Sequence, residues 1–168
     1  IYAYEPFKPT FKSAQKNLEL NPDLSRKIIP RNFGLGKEEK SLDLPYLPDI
    51  SGAMSTTHTV LESQKVSKET VYIKDAAKEL TQILNENPGR NVIIKCDCEG
   101  AEFEIFEKLD QEKLFSSIDV ILMEYHFEGP DKLIEILTRN NFAVQDRVGS
   151  SKSKTGYIYA VRMAERVN

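Results

Sequence analysis

Asn91-Val92-Ile93-Ile94-Lys95-Cys96-Asp97-Cys98-Glu99-Gly100-Ala101-Glu102 is the stretch on which the fold turns. Its nearly continuous apolar run from Asn91 to Cys98 reads as a strand buried on both faces of a parallel sheet, and therefore central in it. From Glu99 to Leu109 the period changes. Phe103, Phe106 and Leu109 recur at helical spacing, so a helix follows the strand across an acidic corner at Glu99-Gly100.

The same alternation extends outward. Downstream, Ile118 to Met123 reads as a second buried strand ending at Glu124-Tyr125-His126. Pro130 then opens a helix with Leu133, Ile136 and Leu137 inward, closed at Asn140-Asn141. Phe142 to Val148 and Gly156 to Arg162 alternate with period two and predict an antiparallel hairpin. Upstream, Asp75 caps a helix whose apolar stripe is Ala76, Leu80, Ile83 and Leu84, and Asn87-Pro88-Gly89 ends it. Ile1 to Tyr4 reads as a short buried strand stopped at Glu5-Pro6. Pro9-Thr10 opens a helix with Phe11, Ala14 and Leu18 on one stripe, ended by Asn21-Pro22. Lys27 to Phe33 is a further strand, and Gly34-Leu35-Gly36 a turn. Between Lys37 and Lys74 the pattern is irregular. A hairpin of Lys40 to Leu44 with Thr70 to Ile73 flanks a Ser/Thr-rich stretch, Ser51 to Thr59, of the kind that is either mobile or functional; a lid over a ligand would be both.

Strands alternating with helices imply a single α/β domain over residues 1–168, with a doubly wound, mostly parallel sheet and a C-terminal antiparallel hairpin. Because the chain starts at Ile1, inside a strand, the domain is expected to be incomplete at its N-terminus. A net charge of -3 gives no general attraction to polyanions, which argues against nucleic acid as a partner. No apolar run approaches the roughly 20 residues of a membrane span, and the basic-then-apolar order of a signal peptide is missing, so the expected location is the cytoplasm. Cys96 and Cys98, two apart, fall on one face of the strand. A disulfide between them would be strained, and no histidine is near enough in sequence for zinc, so they read as small, reduced core side chains.

In open α/β sheets ligands bind beyond the carboxyl ends of the strands. Glu5 stands at such an end, where a carboxylate can accept hydrogen bonds from the vicinal hydroxyls of a ribose; a solvated turn is the plainer reading. Lys95, Asp97 and Glu99 alternate onto one side of their strand. Lys95 could simply pair Asp97, and either acid could cap the helix that follows, but Gly100 beside them would let a ligand approach the backbone. Glu124 and His126 leave the neighbouring strand at the same sheet edge. His126 could be a general base for a hydroxyl, with Asp97 and Glu99, and Glu124 could meet a substrate. Asp97, Glu99, Glu124 and His126 are also conceivable ligands of a divalent cation, a weaker reading, and no metal is assigned. His58, in the Ser/Thr-rich stretch, is a possible substrate contact.

Val92 to Leu109, with its Lys95-Cys96-Asp97-Cys98-Glu99-Gly100-Ala101-Glu102, resembles the Lys-Ile-Asp-Val-Glu-Gly-Ala-Glu signature of FkbM-type methyltransferases. Tyr2 to Pro6 resembles that family's second strand and ribose-binding acid, and Asn32 to Gly36 the stretch after its third. Val71 to Leu80 and Met123 to His126 resemble the segments on either side of the signature. The resemblance implies a Rossmann-like sheet that binds S-adenosylmethionine and methylates a hydroxyl of a sugar or natural product. It implies cofactor contacts at Glu5, Pro6, Phe33, Gly34 and Asp97 and leaves the metal requirement open. The family's first strand and glycine-rich turn would precede Ile1. A nicotinamide-dependent oxidoreductase, which also places an acid on a ribose, and a catalytically silent module of the same fold are the competing readings. The oligomeric state is open.

Overall fold

The structure, a computed structural model, describes residues 1–47, 54–57, 67–150 and 154–164. In chain order it comprises β1 (Tyr2–Tyr4), α1 (Lys8–Glu19), α2 (Pro22–Ser25), β2 (Ile29–Arg31), β3 (Gly34–Gly36), β4 (Lys40–Tyr46), β5 (Ser67–Asp75), α3 (Ala76–Glu86) and β6 (Ile93–Asp97). There follow α4 (Glu102–Gln111), a 3-10 turn (Leu114–Ser117), β7 (Val120–Tyr125), α5 (Asp131–Arg139), β8 (Phe142–Ser150) and β9 (Thr155–Arg162). The strands pair in the orders β1-β2, β3-β5-β4 and β6-β7-β9-β8.

A mixed α/β architecture replaces the expected mostly parallel one. β1 with β2, β3 with β5 and β6 with β7 are parallel, but β4 with β5, β7 with β9 and β8 with β9 are antiparallel. The cause is visible in burial. β5 and β9 bury alternate residues only, as strands with one solvated face do, and such strands suit antiparallel partners.

β6 is not central among the described residues. It hydrogen-bonds to β7 alone, and its other edge looks onto a cavity. Lacking a second neighbour, it leaves Ile93 64% exposed and buries Cys96 only, although its composition is that of a doubly covered strand. β1, expected to be buried, is likewise half-buried with Ala3 exposed. Gly34-Leu35-Gly36 is a strand rather than a turn. It lies parallel to β5 with Gly34 opposite Ile73, and a Cβ at Gly34 would stand 2.8 Å from Ile73 Cδ1, so glycine is what lets the two strands close. The preceding strand is shorter than its apolar pattern because Ile28 N–H is bonded to the Ser25 carbonyl, which holds that segment in the turn after α2.

The helices form where expected and differ in what they bury. Asp75 caps α3, its Oδ1 accepting from Ala77 N at 2.9 Å and Lys78 N at 3.0 Å. α4 buries Phe103, Phe106 and Leu109, and α5 buries Leu133, Ile136 and Leu137. Pro130 lies at the cap of α5, one residue before its first turn. α1 is a helix, yet its stripe is not covered: Phe11 and Leu18 are half-buried and Ala14 is exposed. The main core lies between β6–β9 and α3–α5, where Phe106, Phe115 and Phe142 stack in sequence at 5.7 and 5.9 Å. Each such ring contributes roughly 1.5–3 kcal/mol by leaving water. A smaller cluster joins Phe7, Tyr46, Leu47, Met54 and Val71.

Candidate functional site

A cavity of about 930 Å³ opens between β1 and β6 and collects strand-end residues from both. Glu5, Pro6 and Gly34 line one side, Asp97, Cys98 and Glu99 the other, and Met54 and Thr56 from the loop after β4 also reach it. Phe33 is not among its walls. Its ring packs against Tyr4 at 5.5 Å and lies 4.3 Å below the Lys74 ammonium. His58 lies outside the described residues. A second hollow, of about 570 Å³, follows α3 and α4; its Asp75 and Lys108 are engaged with each other at 3.2 Å, which is a structural pairing.

Glu5 ends β1 because Pro6 cannot extend the ladder. Its Oε1 accepts from Phe7 N–H at 2.8 Å, and its Oε2 has no hydrogen bond among the described residues. Burial pushes the carboxyl above the usual glutamate range, with the Phe7 hydrogen bond opposing. Nearby, Glu79 is buried and accepts from the Tyr4 hydroxyl at 3.1 Å, and burial followed by that carboxylate drives the phenol's pKa upward.

The second group of acids is gathered by β-sheet register. Asp97 stands opposite Glu124 on adjacent parallel strands. After Asp97 the chain turns through Glu99 (φ 51°) and Gly100 (φ 102°), two consecutive left-handed residues. Glu99 is not a glycine, so its conformation costs about 1–2 kcal/mol. Ser55 Oγ donates to the Glu99 carbonyl at 2.5 Å and braces the corner. Glu99 Oε1 thereby comes 3.8 Å from His126 Nε2, and Glu124 Oε1 stands 3.9 Å from the same nitrogen. The structure thus brings together Asp97, Glu99, Glu124 and His126, all from strand ends. Burial raises the Glu99 carboxyl; His126 works against this, and Asp97, Glu102 and Glu124 reinforce it. Lys95 Nζ does pair Asp97, at 3.3 Å, but neither Asp97 nor Glu99 caps α4, whose cap position, Ala101, makes no side-chain hydrogen bond.

Glu102 is the residue that sequence reasoning missed. It is 0% exposed and organises the corner: Oε2 accepts from Gly100 N at 2.9 Å, while Oε1 accepts from His126 N at 2.6 Å and lies 3.3 Å from His126 Nδ1. Two backbone N–H donors mark it as an acceptor, so Nδ1–H donates to it and Nε2 is the ring nitrogen that faces Glu99 and Glu124. The signal was available, since Glu102 precedes Phe106 by four and Leu109 by seven, the spacing of the buried stripe. Cys96 and Cys98 share a face as expected and remain free thiols, their sulfurs 3.3 Å apart. Their contact, then burial, lifts the Cys98 thiol well above the ordinary cysteine range.

Among the described residues no helix is long and apolar enough to cross a membrane. Residues 1–144 match the family described as the methyltransferase FkbM domain. The chain is 30% identical over 140 residues to Methyltransferase 1 of Beauveria bassiana (strain ARSEF 2860), covering 74% of this chain and 54% of that protein. The crystal structure of a methyltransferase FkbM from Methylobacillus flagellatus KT superposes with a TM-score of 0.50 at 13% identity, over 94% of this chain and 36% of the other. The chain therefore spans about half of the curated relative and about a third of the solved one. With a match over most of its length, the chain belongs to the FkbM methyltransferase family.

Proposed function

We propose that the protein is an S-adenosylmethionine-dependent O-methyltransferase acting on a hydroxyl group of a sugar or natural product. The observation that carries this reading is the meeting of two sets of strand-end acids on one cavity: Glu5 on the β1 side, Asp97 and Glu99 on the β6 side. The residues present suit the nucleoside half of the cofactor. Glu5 Oε2 has no hydrogen bond among the described residues, which suits acceptance from ribose hydroxyls, and Pro6 and Gly34 wall the adjoining space. Asp97 faces it from β6. Bound S-adenosylmethionine supplies a methyl group on a sulfonium.

The chain's own task is to position the acceptor oxygen and remove its proton. Asp97 and Glu99, which line the cavity, and His126, outside its lining but 3.8 Å from Glu99, serve that purpose, with Glu124 beside them as a contact for substrate hydroxyls. Glu102, holding Nδ1, keeps the His126 lone pair turned to that side. The family assignment disfavours the nicotinamide reading. A cytoplasmic location is part of the same reading.

Calorimetric titration of the intact protein with S-adenosylmethionine tests the proposal. Saturable binding is expected, weakened at least about tenfold in Glu5→Ala, the equivalent of about 1.4 kcal/mol. Absence of binding at concentrations that saturate ordinary methyltransferases, or binding only to a nicotinamide cofactor, would refute it.

A further inference from the structure

The strand-end cluster is unbalanced in charge. Asp97, Glu99, Glu102 and Glu124 converge on His126, and Lys95, held at Asp97 Oδ2, is the cation paired with any of them among the described residues. His126 is 7% exposed, and its Nε2 has no hydrogen bond to a described residue; its nearest carboxylate oxygens are 3.8 and 3.9 Å away. Nε2 thus faces carboxylate oxygens across a gap too wide for a hydrogen bond, an arrangement that calls for positive charge, on the ring or on an ion seated between them.

We infer that Asp97, Glu99 and His126 form a divalent-cation site. One ligand atom from each lies within 4.8 Å of the other two, close enough for modest side-chain rotation to place all three around one ion. The donor set narrows the ion. Two carboxylates favour a hard cation and one imidazole a borderline one, so Mn²⁺ or a similar first-row ion fits better than Ca²⁺ or Cu⁺. The surroundings are those of a metal-ligating histidine, since Glu102, fully buried, holds Nδ1 and fixes the tautomer in which Nε2 is free to bind. With three protein ligands, positions remain open for water or a substrate oxygen.

The inference rests on the methyl-transfer reading only for its purpose. An ion held there would acidify a bound acceptor hydroxyl; Asp97, Glu99 and His126 would then act through it, and the proton-accepting role given above to His126 would pass to Glu124, outside the ligand set. The site itself stands or falls by binding.

The test is titration of the metal-stripped intact protein with Mn²⁺, free ion being read by electron paramagnetic resonance. One Mn²⁺ per chain is expected. His126→Ala and Glu99→Gln should each weaken it at least about tenfold, and Glu102→Gln about 10–100-fold through the histidine. Glu135→Gln, remote on α5, should leave it unchanged. Thermal melting identifies any variant that has lost its fold, and Glu99→Gln, at a partly exposed corner, stands in if His126→Ala does so. No saturable uptake at millimolar Mn²⁺, or uptake that survives Glu99→Gln and His126→Ala, would overturn the site. S-adenosylmethionine is titrated in parallel. Cofactor binding without Mn²⁺ uptake defeats this inference and spares the methyl-transfer reading, whereas Mn²⁺ uptake without cofactor binding does the reverse.

Discussion

Residues 2–36 and 93–162 are built from the same strand-and-helix grammar, yet they are held together very differently. In the first region β1 and β2 pair over three residues each and α1 has no buried residue. In the second, β7 sits between β6 and β9, and α4 and α5 bury their stripes beneath a run of phenylalanines. The contrast teaches a division of labour. The well-packed half fixes the geometry of the acidic corner and His126, while the thin half carries Glu5 at the end of a lightly held strand.

The largest test of that contrast is a pair of truncations. Phe106→Ala, in the dense half, should cost about 3–5 kcal/mol in urea unfolding, whereas Phe11→Ala on α1 should cost under about 1 kcal/mol. Equal losses would break the comparison. Next comes Gly156→Ala. Its Cβ would run into the Tyr125 hydroxyl and stand 2.7 Å from the Arg147 carbonyl, so a loss of about 2 kcal/mol is expected; a neutral substitution would show that the β7–β9 contact yields easily.

Smaller, and sharper, is the acid dependence of two carboxylates. Burial works to raise the Asp75 carboxyl, but hydrogen bonds from Lys78 N–H and the Lys108 ammonium, and then from Ala77 N–H, outweigh it and hold the group below the usual aspartate range. A folded pKa below the unfolded one adds stability at pH values above the unfolded value, about 3.9, and loses it as pH falls through the folded value. Asp75→Ala should therefore cost about 1 kcal/mol at neutral pH, with the gap to the parent protein closing in melts below about pH 4. Glu5 has the opposite sign. Burial raises its folded pKa, so its charge works against folding at neutral pH and ceases to do so below the unfolded value of about 4.3. Glu5→Gln should leave stability unchanged or slightly raised at pH 7, the difference fading on acidification. A destabilised Glu5→Gln at pH 7 would contradict the assignment of that carboxylate to a ligand.

The dense half was legible in the sequence because its signals are periodic. Phe103, Phe106 and Leu109, then Leu133, Ile136 and Leu137, then the alternation of β8 and β9 each match one geometry only. The edge position of β6 was not legible, since Val92 to Cys96 is equally apolar whether one neighbour or two lie beside it. Gly34-Leu35-Gly36 misled for a related reason. Glycine serves a tight turn and a close strand pair equally well, and Ile73, the residue that decides between them, is far away in sequence. At the site, the rule that ligands lie beyond strand ends found Asp97, Glu99, Glu124 and His126, and register then placed Asp97 opposite Glu124. Glu102 escaped because it was read as part of a motif when its spacing already put it on the buried face.

The edge of β6 has a consequence of its own. Its unpaired amides and carbonyls are a template for one more strand, and the apolar run from Val92 to Cys96 has the composition of a strand covered on both faces, so this edge suits a strand partner better than it suits water.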